Sequence, residues 1–304
     1  EVSRYERIIE VLRKKGRPVS LDQISKAKKE KLALHPKSYA VNMLLAKVYM
    51  QLAGNDGSSQ YWQMAYDHAM EVYGNYALVN DYASLFVSPD SDGSSESIFE
   101  IQAKGAIPSV GVDKYSLTQG ARGEGGWGWG FNVPSQELLN SYEENDLRRD
   151  ATIIFRGETL YDGRYVPESV VNDMYNQKAY SSAFTEFEQT GKNIRILRYA
   201  EVLLMNAEAA IHLGGDVSGP INQIRSRAGL NPLNNPTQLD IWNERRWELA
   251  FEHDRYFDLV RQGRAATVLQ SLGKPFVIGK HELFPIPQQQ IDLSNGILTQ
   301  NPGW

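Results

Sequence analysis

The chain has 304 residues, 41% hydrophobic and 23% charged, with a formal net charge of -5. That length can bury one large core or two smaller ones, and the acidic balance argues against a nucleic-acid binder, which carries a basic face or stripe. Cysteine is absent, which excludes disulfides, cysteine-ligated zinc, a cysteine nucleophile and lipidation within these residues. No apolar run approaches the roughly 20 residues of a spanning helix.

The first third reads as helices. Residues 4–15 are amphipathic through Tyr5, Ile8, Ile9 and Leu12, with no signal peptide before them, and stop near Gly16 and Pro18. Residues 21–34 follow with a run of lysines. Residues 38–52 place Val41, Leu44, Leu45, Val48 and Tyr49 at helical spacing and end at the breaker Gly54-Asn55-Asp56-Gly57. Residues 61–73 form the return helix, with Ala65 and Ala69 as small contact residues. A helix pair of this size has the character of a tetratricopeptide hairpin.

The middle changes character. Residues 97–103 predict a strand, and residues 105–130 are glycine-rich and irregular, a kind of loop that is usually functional or disordered. A helix resumes over 136–142, and short strands are expected over 150–155 and 164–166. Residues 206–230, broken at Gly214-Gly215, and 239–262 supply further helices. The expected fold is mostly α, a tetratricopeptide-like helical repeat scaffold with a loop-rich face and a few short strands. It forms one domain over 1–304, with a helical repeat part (1–87), a loop-rich ligand face (88–195) and C-terminal helices with a tail (196–304).

Residues 244–263, read as one helix, put Glu244, Glu248 and Glu252 on one face at four-residue spacing. Like charges so placed repel, so cations must neutralise them, and Arg245, Arg255 and Arg261 lie within a turn of a carboxylate. With Trp242, Leu249, Phe251, Tyr256, Phe257, Leu259 and Val260 on the same stretch, the helix is expected to pack inside the protein with its ions paired.

This segment, the run from Arg198 to Ala209 (RYAEVLLMNAEA), and the tail with Leu283-Phe284-Pro285-Ile286-Pro287, Ile291-Asp292 and Asn301-Pro302-Gly303-Trp304 together resemble the SusD/RagB family. Weaker echoes reach back through Glu96–Gln102 to Leu44–Tyr49, so the resemblance covers most of the chain from about Pro36. It implies a surface-exposed, lipid-anchored, nutrient-binding protein of the Bacteroidetes outer membrane. Such a protein would capture oligosaccharide and deliver it to a SusC-like TonB-dependent transporter. Relatives are anchored through an N-terminal cysteine that this sequence lacks, and the chain is read as missing an N-terminal part.

Residues 113–132 are the main binding candidate. Asp113, Tyr115, Arg122, Trp127, Trp129 and Asn132 are the candidate ligand residues, with Phe131 beside them. Aromatic faces take the apolar face of a sugar ring, polar groups satisfy its hydroxyls, and glycines let the backbone approach closely. The alternative is that Trp127 and Trp129 anchor the loop to the core. Two residues apart on an extended stretch they point to opposite sides, so one would anchor and the other face solvent.

Gly123-Glu124-Gly125-Gly126-Trp127-Gly128 spells GxGxxG, but lacks the preceding strand and following helix of a dinucleotide fingerprint. The three glutamates invite a glycosidase reading, which needs two carboxyls facing a sugar across a cleft; the interleaved arginines favour a structural ion network. His35, His68, His212, His253 and His281 form no metal spacing, and Gly215-Asp216-Val217-Ser218-Gly219 is no nucleophile elbow. The expectation is therefore a non-enzymatic protein without cofactor. Loop Asp and Asn residues supply oxygen ligands of the kind calcium takes, but no EF-hand-like spacing supports a calcium site. The alternatives are a peptide-binding RagB-like uptake protein or a helical-repeat scaffold for a protein partner.

Overall fold

A computed structural model of the chain describes residues 37–87, 91–103, 112–181 and 189–304. The helices expected over 4–15 and 21–34 lie outside the described residues. Helix α1 (Lys37–Ala53) turns at Gly54, which takes the left-handed φ of 60°. Helix α2 (Tyr61–Val72) packs back against it. The faces in contact carry Met43, Ala46, Met50 and Ala53 on α1 and Trp62, Ala65, Ala69 and Val72 on α2. The alanines let the two backbones approach closely. The stripe read from the sequence is therefore rotated. Val41, Leu44 and Val48 are 49–53% exposed, because α1 is apolar on two faces and the one with small residues is where α2 fits.

Among the described residues there are three two-stranded sheets, each antiparallel. Strand β1 (Ser97–Ile101) pairs with β6 (Ile194–Arg198), β2 (Val112–Asp113) with β5 (Gln189–Thr190), and β3 (Ile153–Phe155) with β4 (Met174–Asn176). Between them run the short helices α3 (Tyr115–Gln119), α4 (Gln136–Ser141) and α5 (Arg148–Thr152). Two expected strands are corrected here. Residues 148–152 are helical, and the strand begins only at Ile153. Residues 164–166 close a tight turn, where Leu160 N–H donates to the Arg164 carbonyl at 2.8 Å and Tyr165 makes a lone bridge to Thr159.

Strand β6 runs directly into α6 (Tyr199–Leu213), whose first twelve residues are all buried. A helix apolar on every side belongs in the interior, and α6 is the axis of the core. It touches α1, α2, α7 (Ser218–Arg227) and α8 (Gln238–Glu248). Gly214 ends it at φ 70°, and its N–H returns to the Ala210 carbonyl. Helix α8 starts at a capping box between Thr237 and Asp240.

The long helix expected over 239–262 breaks. Helix α8 stops at Glu248, Phe251 and His253 take left-handed φ of 66° and 71°, and α9 (Arg255–Arg261) restarts the chain. Helices α10 (Ala265–Ser271) and α11 (Gln288–Leu293) follow. The result is the mostly α, tetratricopeptide-like scaffold with few short strands that the sequence implies. Among the described residues no helix is long and apolar enough to cross a membrane.

Candidate functional site

The loop after α3 is fixed by its own backbone. The Ala121 carbonyl accepts from Trp127 N–H at 2.9 Å and Gly128 N–H at 2.8 Å. Leu117, Gly120 and Thr118 carbonyls accept from Trp129, Gly130 and Phe131 N–H groups at 2.9–3.0 Å. The strip 127–131 is thus laced to the end of α3. Glycine is needed for this close self-packing and not only for approach to a ligand. A Cβ on Gly128 would sit 2.4 Å from the Leu117 carbonyl oxygen, and one on Gly126 2.4 Å from that of Ala121.

The two tryptophans part ways. Trp127 packs on the buried cluster of Ala121, Ile154, Leu160, Val166, Val170 and Tyr175. Its ring stands edge-on to Tyr180 at 5.4 Å, with the Arg164 guanidinium 5.2 Å from its centroid. Trp129 is 41% exposed and Phe131 59% exposed, with ring centroids 6.4 Å apart at a steep angle. Lys114 Nζ lies 5.6 Å from the Trp129 centroid. Trp127 is the anchor and Trp129 the outward ring.

The other candidate residues are spread around this pair. Arg122 is exposed; its backbone is held by Val171 N–H at 2.7 Å and the Tyr175 hydroxyl at 3.3 Å. Its side chain runs past Gly130, where a Cβ would meet Arg122 Cβ at 2.9 Å. Asn132, at φ 50°, donates to Gln119 Oε1 at 2.8 Å, and Asn176 donates to the same oxygen at 2.8 Å. The structure therefore gathers Arg122, Trp129 and Asn132, and adds Lys114 and Phe131. Tyr115 instead turns toward His253, 6.4 Å between rings, and burial raises its hydroxyl pKa. Asp113 ends β2, and its side chain lies outside the described residues. Lys114 had no signal beyond its place beside Asp113.

The GxGxxG run fits no dinucleotide site: Gly123 makes a lone bridge to Val170, and the next helix begins only at Gln136. Among the described residues no three histidine, aspartate or glutamate side chains are placed to hold a metal ion.

The glutamates of residues 244–252 sit in a buried ion network, as their arginine-rich setting implied, but with other partners. Arg148 bonds Glu244 at 2.5 Å, and Arg225 reaches the same carboxylate at 3.1 Å. Glu248 meets Arg198, Arg227 and Arg148. Glu252, beyond the helix end, meets Arg198 at 2.6 Å and Lys178 at 2.7 Å. Arg245 pairs instead with Glu201 and Asp258, Arg261 with Glu208 and Asp258, and Arg255 with none of them. The neutralising cations come from distant elements because α8 turns this face inward. Glu244 and Glu248 have no exposed surface, so they cannot flank a sugar as acid and base. At Glu248 burial pushes the pKa up, but Arg227, Arg198 and Arg148 outweigh it and hold the carboxyl well below its usual range. At Glu244 burial wins and the pKa is raised.

Comparison with known proteins places this arrangement. The SusD family profile matches residues 95–304. The chain is 29% identical over 283 residues to SusD-like protein P2 of Formosa agariphila, an alignment that takes in 80% of this chain and 56% of that one. It superposes on surface glycan-binding protein A from Bacteroides thetaiotaomicron in complex with laminarihexaose with a TM-score of 0.69 and 27% identity, covering 86% of this chain and 63% of that one. A laminarin-binding SusD-like protein matches with a TM-score of 0.71 and 28% identity, over 93% of this chain and 68% of that one. The chain thus spans little more than half the length of the curated relative. With the profile covering well over half of its residues, the chain belongs to the SusD family.

Proposed function

We propose that this protein is a non-catalytic, cell-surface glycan-binding protein. It captures oligosaccharide on the Trp129–Phe131 face and delivers it to a SusC-like TonB-dependent transporter in the outer membrane. The observation that carries the reading is an exposed aromatic pair on a loop whose backbone is pinned at five points. Exposed rings on a rigid loop are an arrangement suited to recognition. One ring face covers the C–H face of a pyranose, and Arg122, Asn132 and Lys114 supply donors for its hydroxyls. Two similar structures are named for glycan or laminarin binding, one with laminarihexaose bound. The reading assigns no cofactor, and membrane attachment through a lipid anchor belongs to the same proposal.

The test is calorimetric titration with β-glucan and α-glucan oligosaccharides, repeated with Trp129→Ala and Phe131→Ala. Binding that is lost in either variant while the melting temperature holds supports the reading. A glycan that binds both variants as tightly as the parent moves the site elsewhere. Failure of every glycan, with binding of peptides, returns the protein to the RagB-like peptide-uptake reading.

A further inference from the structure

We propose that a second subsite, a cleft between α4, the α8–α9 junction and α10, binds the carboxylate of an acidic saccharide on Arg255. This rests on the glycan-binding reading above and names a ligand class for it. The cleft measures about 390 Å³, within the range of small-ligand pockets (roughly 300–1,000 Å³). Its walls are largely apolar, among them Val133, Leu138, Leu249, Tyr256 and Leu269. Asn132, one residue past Phe131, lines it as well.

Charge singles out Arg255. Among the described residues six arginines are buried, Arg148, Arg198, Arg225, Arg227, Arg245 and Arg261, and each holds a carboxylate. Arg255 is half-buried, and its side chain makes no hydrogen bond or ion pair among the described residues. The carboxylates around it are committed. Glu137 chelates Arg246, Asp258 is taken by Arg245 at 2.7 Å and Arg261 at 3.2 Å, and Asp254 by Lys47 at 3.0 Å. Arg264, the other cation nearby, sits 5.0 Å over the Trp242 ring. Burial, together with the repulsion of Arg246 and Arg264, lowers the Arg255 pKa to about 10.

A guanidinium without a counter-ion, withdrawn from water beside two others, costs folding free energy. A ligand carboxylate would remove that cost, and the planar fork of arginine fits its two oxygens. The polar atoms of Asn132, Ser135 and His253 among the apolar walls suit a sugar ring carrying that carboxylate.

The experiment is calorimetry of the full chain with a panel of uronate oligosaccharides and their carboxyl-reduced, neutral counterparts, using the parent, Arg255→Gln, Arg255→Lys and Trp129→Ala. The expected result is at least one uronate bound tenfold or more tighter than its neutral counterpart. Arg255→Gln abolishes that preference and Arg255→Lys keeps part of it. Without ligand, Arg255→Gln melts at or above the parent temperature, which an arginine serving only the fold would not do. Equal binding of acid and neutral forms, a preference that survives Arg255→Gln, or binding of acidic peptides but no uronate overturns the proposal. Neutral glycans lost in Trp129→Ala without any acid preference would leave the aromatic site standing and remove only this one. An Arg255-dependent preference untouched by Trp129→Ala would do the reverse.

Discussion

Arg198 grips Glu248 at two points of the same residue. Its Nη1 donates to Oε1 at 2.5 Å and its Nη2 to the backbone carbonyl at 2.6 Å. That carbonyl, left open by the end of α8, also accepts from Lys178 Nζ at 3.0 Å and the Tyr82 hydroxyl at 2.9 Å. Two cations at a helix C-terminus complement its dipole. Because Arg198 lies where β6 becomes α6, this contact ties the sheet, the central helix and the glutamate helix into one unit. The aromatic loop is held by Tyr175 and Asn176 of β4, and the chain just past β4 reaches that unit through Lys178, which bonds the same Glu248 carbonyl.

Weakening this contact should destabilise the protein and leave its ligand chemistry alone. Glu248→Gln leaves Arg198, Arg227 and Arg148 sharing one fewer buried carboxylate, and removing one partner from a buried ion cluster costs roughly 3–5 kcal/mol. Urea unfolding should show that loss. Glycan affinity measured well below the new melting temperature should be unchanged, and a loss of binding in a fully folded variant would place Glu248 in the ligand site.

The two tryptophans should separate stability from binding. Trp127→Ala removes the ring packed on the buried cluster of Ala121, Ile154, Tyr175 and Tyr180 and is expected to cost roughly 3 kcal/mol. Trp129→Ala, at an exposed ring, should cost less than about 0.5 kcal/mol while weakening glycan binding. Thermal melts of both variants decide it, and equal destabilisation would mean that Trp129 is also an anchor.

Gly128→Ala should disturb the loop without touching any proposed ligand group. The new methyl meets the Leu117 carbonyl oxygen at 2.4 Å and Gly120 Cα at 2.5 Å, both backbone. Overpacking of this kind costs about 1–3 kcal/mol. Hydrogen exchange should show lost protection at the Trp127, Trp129 and Phe131 amides. Protection equal to the parent would contradict the close self-packing.

Stability should peak in mildly acidic solution. Burial pushes the Glu201 pKa up, but Lys47 and Arg245 prevail and bring it from 4.5 to about 2. Its contribution is present above the unfolded value and is lost as pH falls from about 4.5 toward 2. Asp254 runs the other way: burial, then the charge of Glu201, raise it from 3.8 to about 6. The folded state takes up that proton first, so stability grows as pH falls through about 6. Relative to Asp254→Asn, the parent's melting temperature should therefore rise as pH falls from about 7 toward about 4, and it should drop once Glu201 protonates below that. Asp254→Asn should flatten the rise and leave the acid limb. A rise unchanged in that variant would assign it to another group.

Much of the helical scaffold is written in local pattern. The α1–α2 turn at Gly54, the end of α6 at Gly214 and the capping box at Thr237 are short-range signals, readable because each acts within a few residues. The alternation that set Trp127 apart from Trp129 is equally local, and so is the density of charge on residues 244–258. Which face of α1 meets α2 was not local: both faces are apolar, and only the close approach allowed by Ala46 and Ala65 chose between them. The break after Glu248 was hidden as well, since residues 249–254 carry no glycine or proline. There the chain gives up helical bonds because Arg198, Lys178 and Tyr82 satisfy the exposed carbonyl from elsewhere in the fold. The same holds for the ions. The sequence by itself determined that the glutamates needed cations. Only the tertiary structure decided that these come from positions 148, 178, 198, 225 and 227, and that Arg255 is left over. Charge pairing at contact distance depends on which elements meet, and no spacing along one helix encodes that.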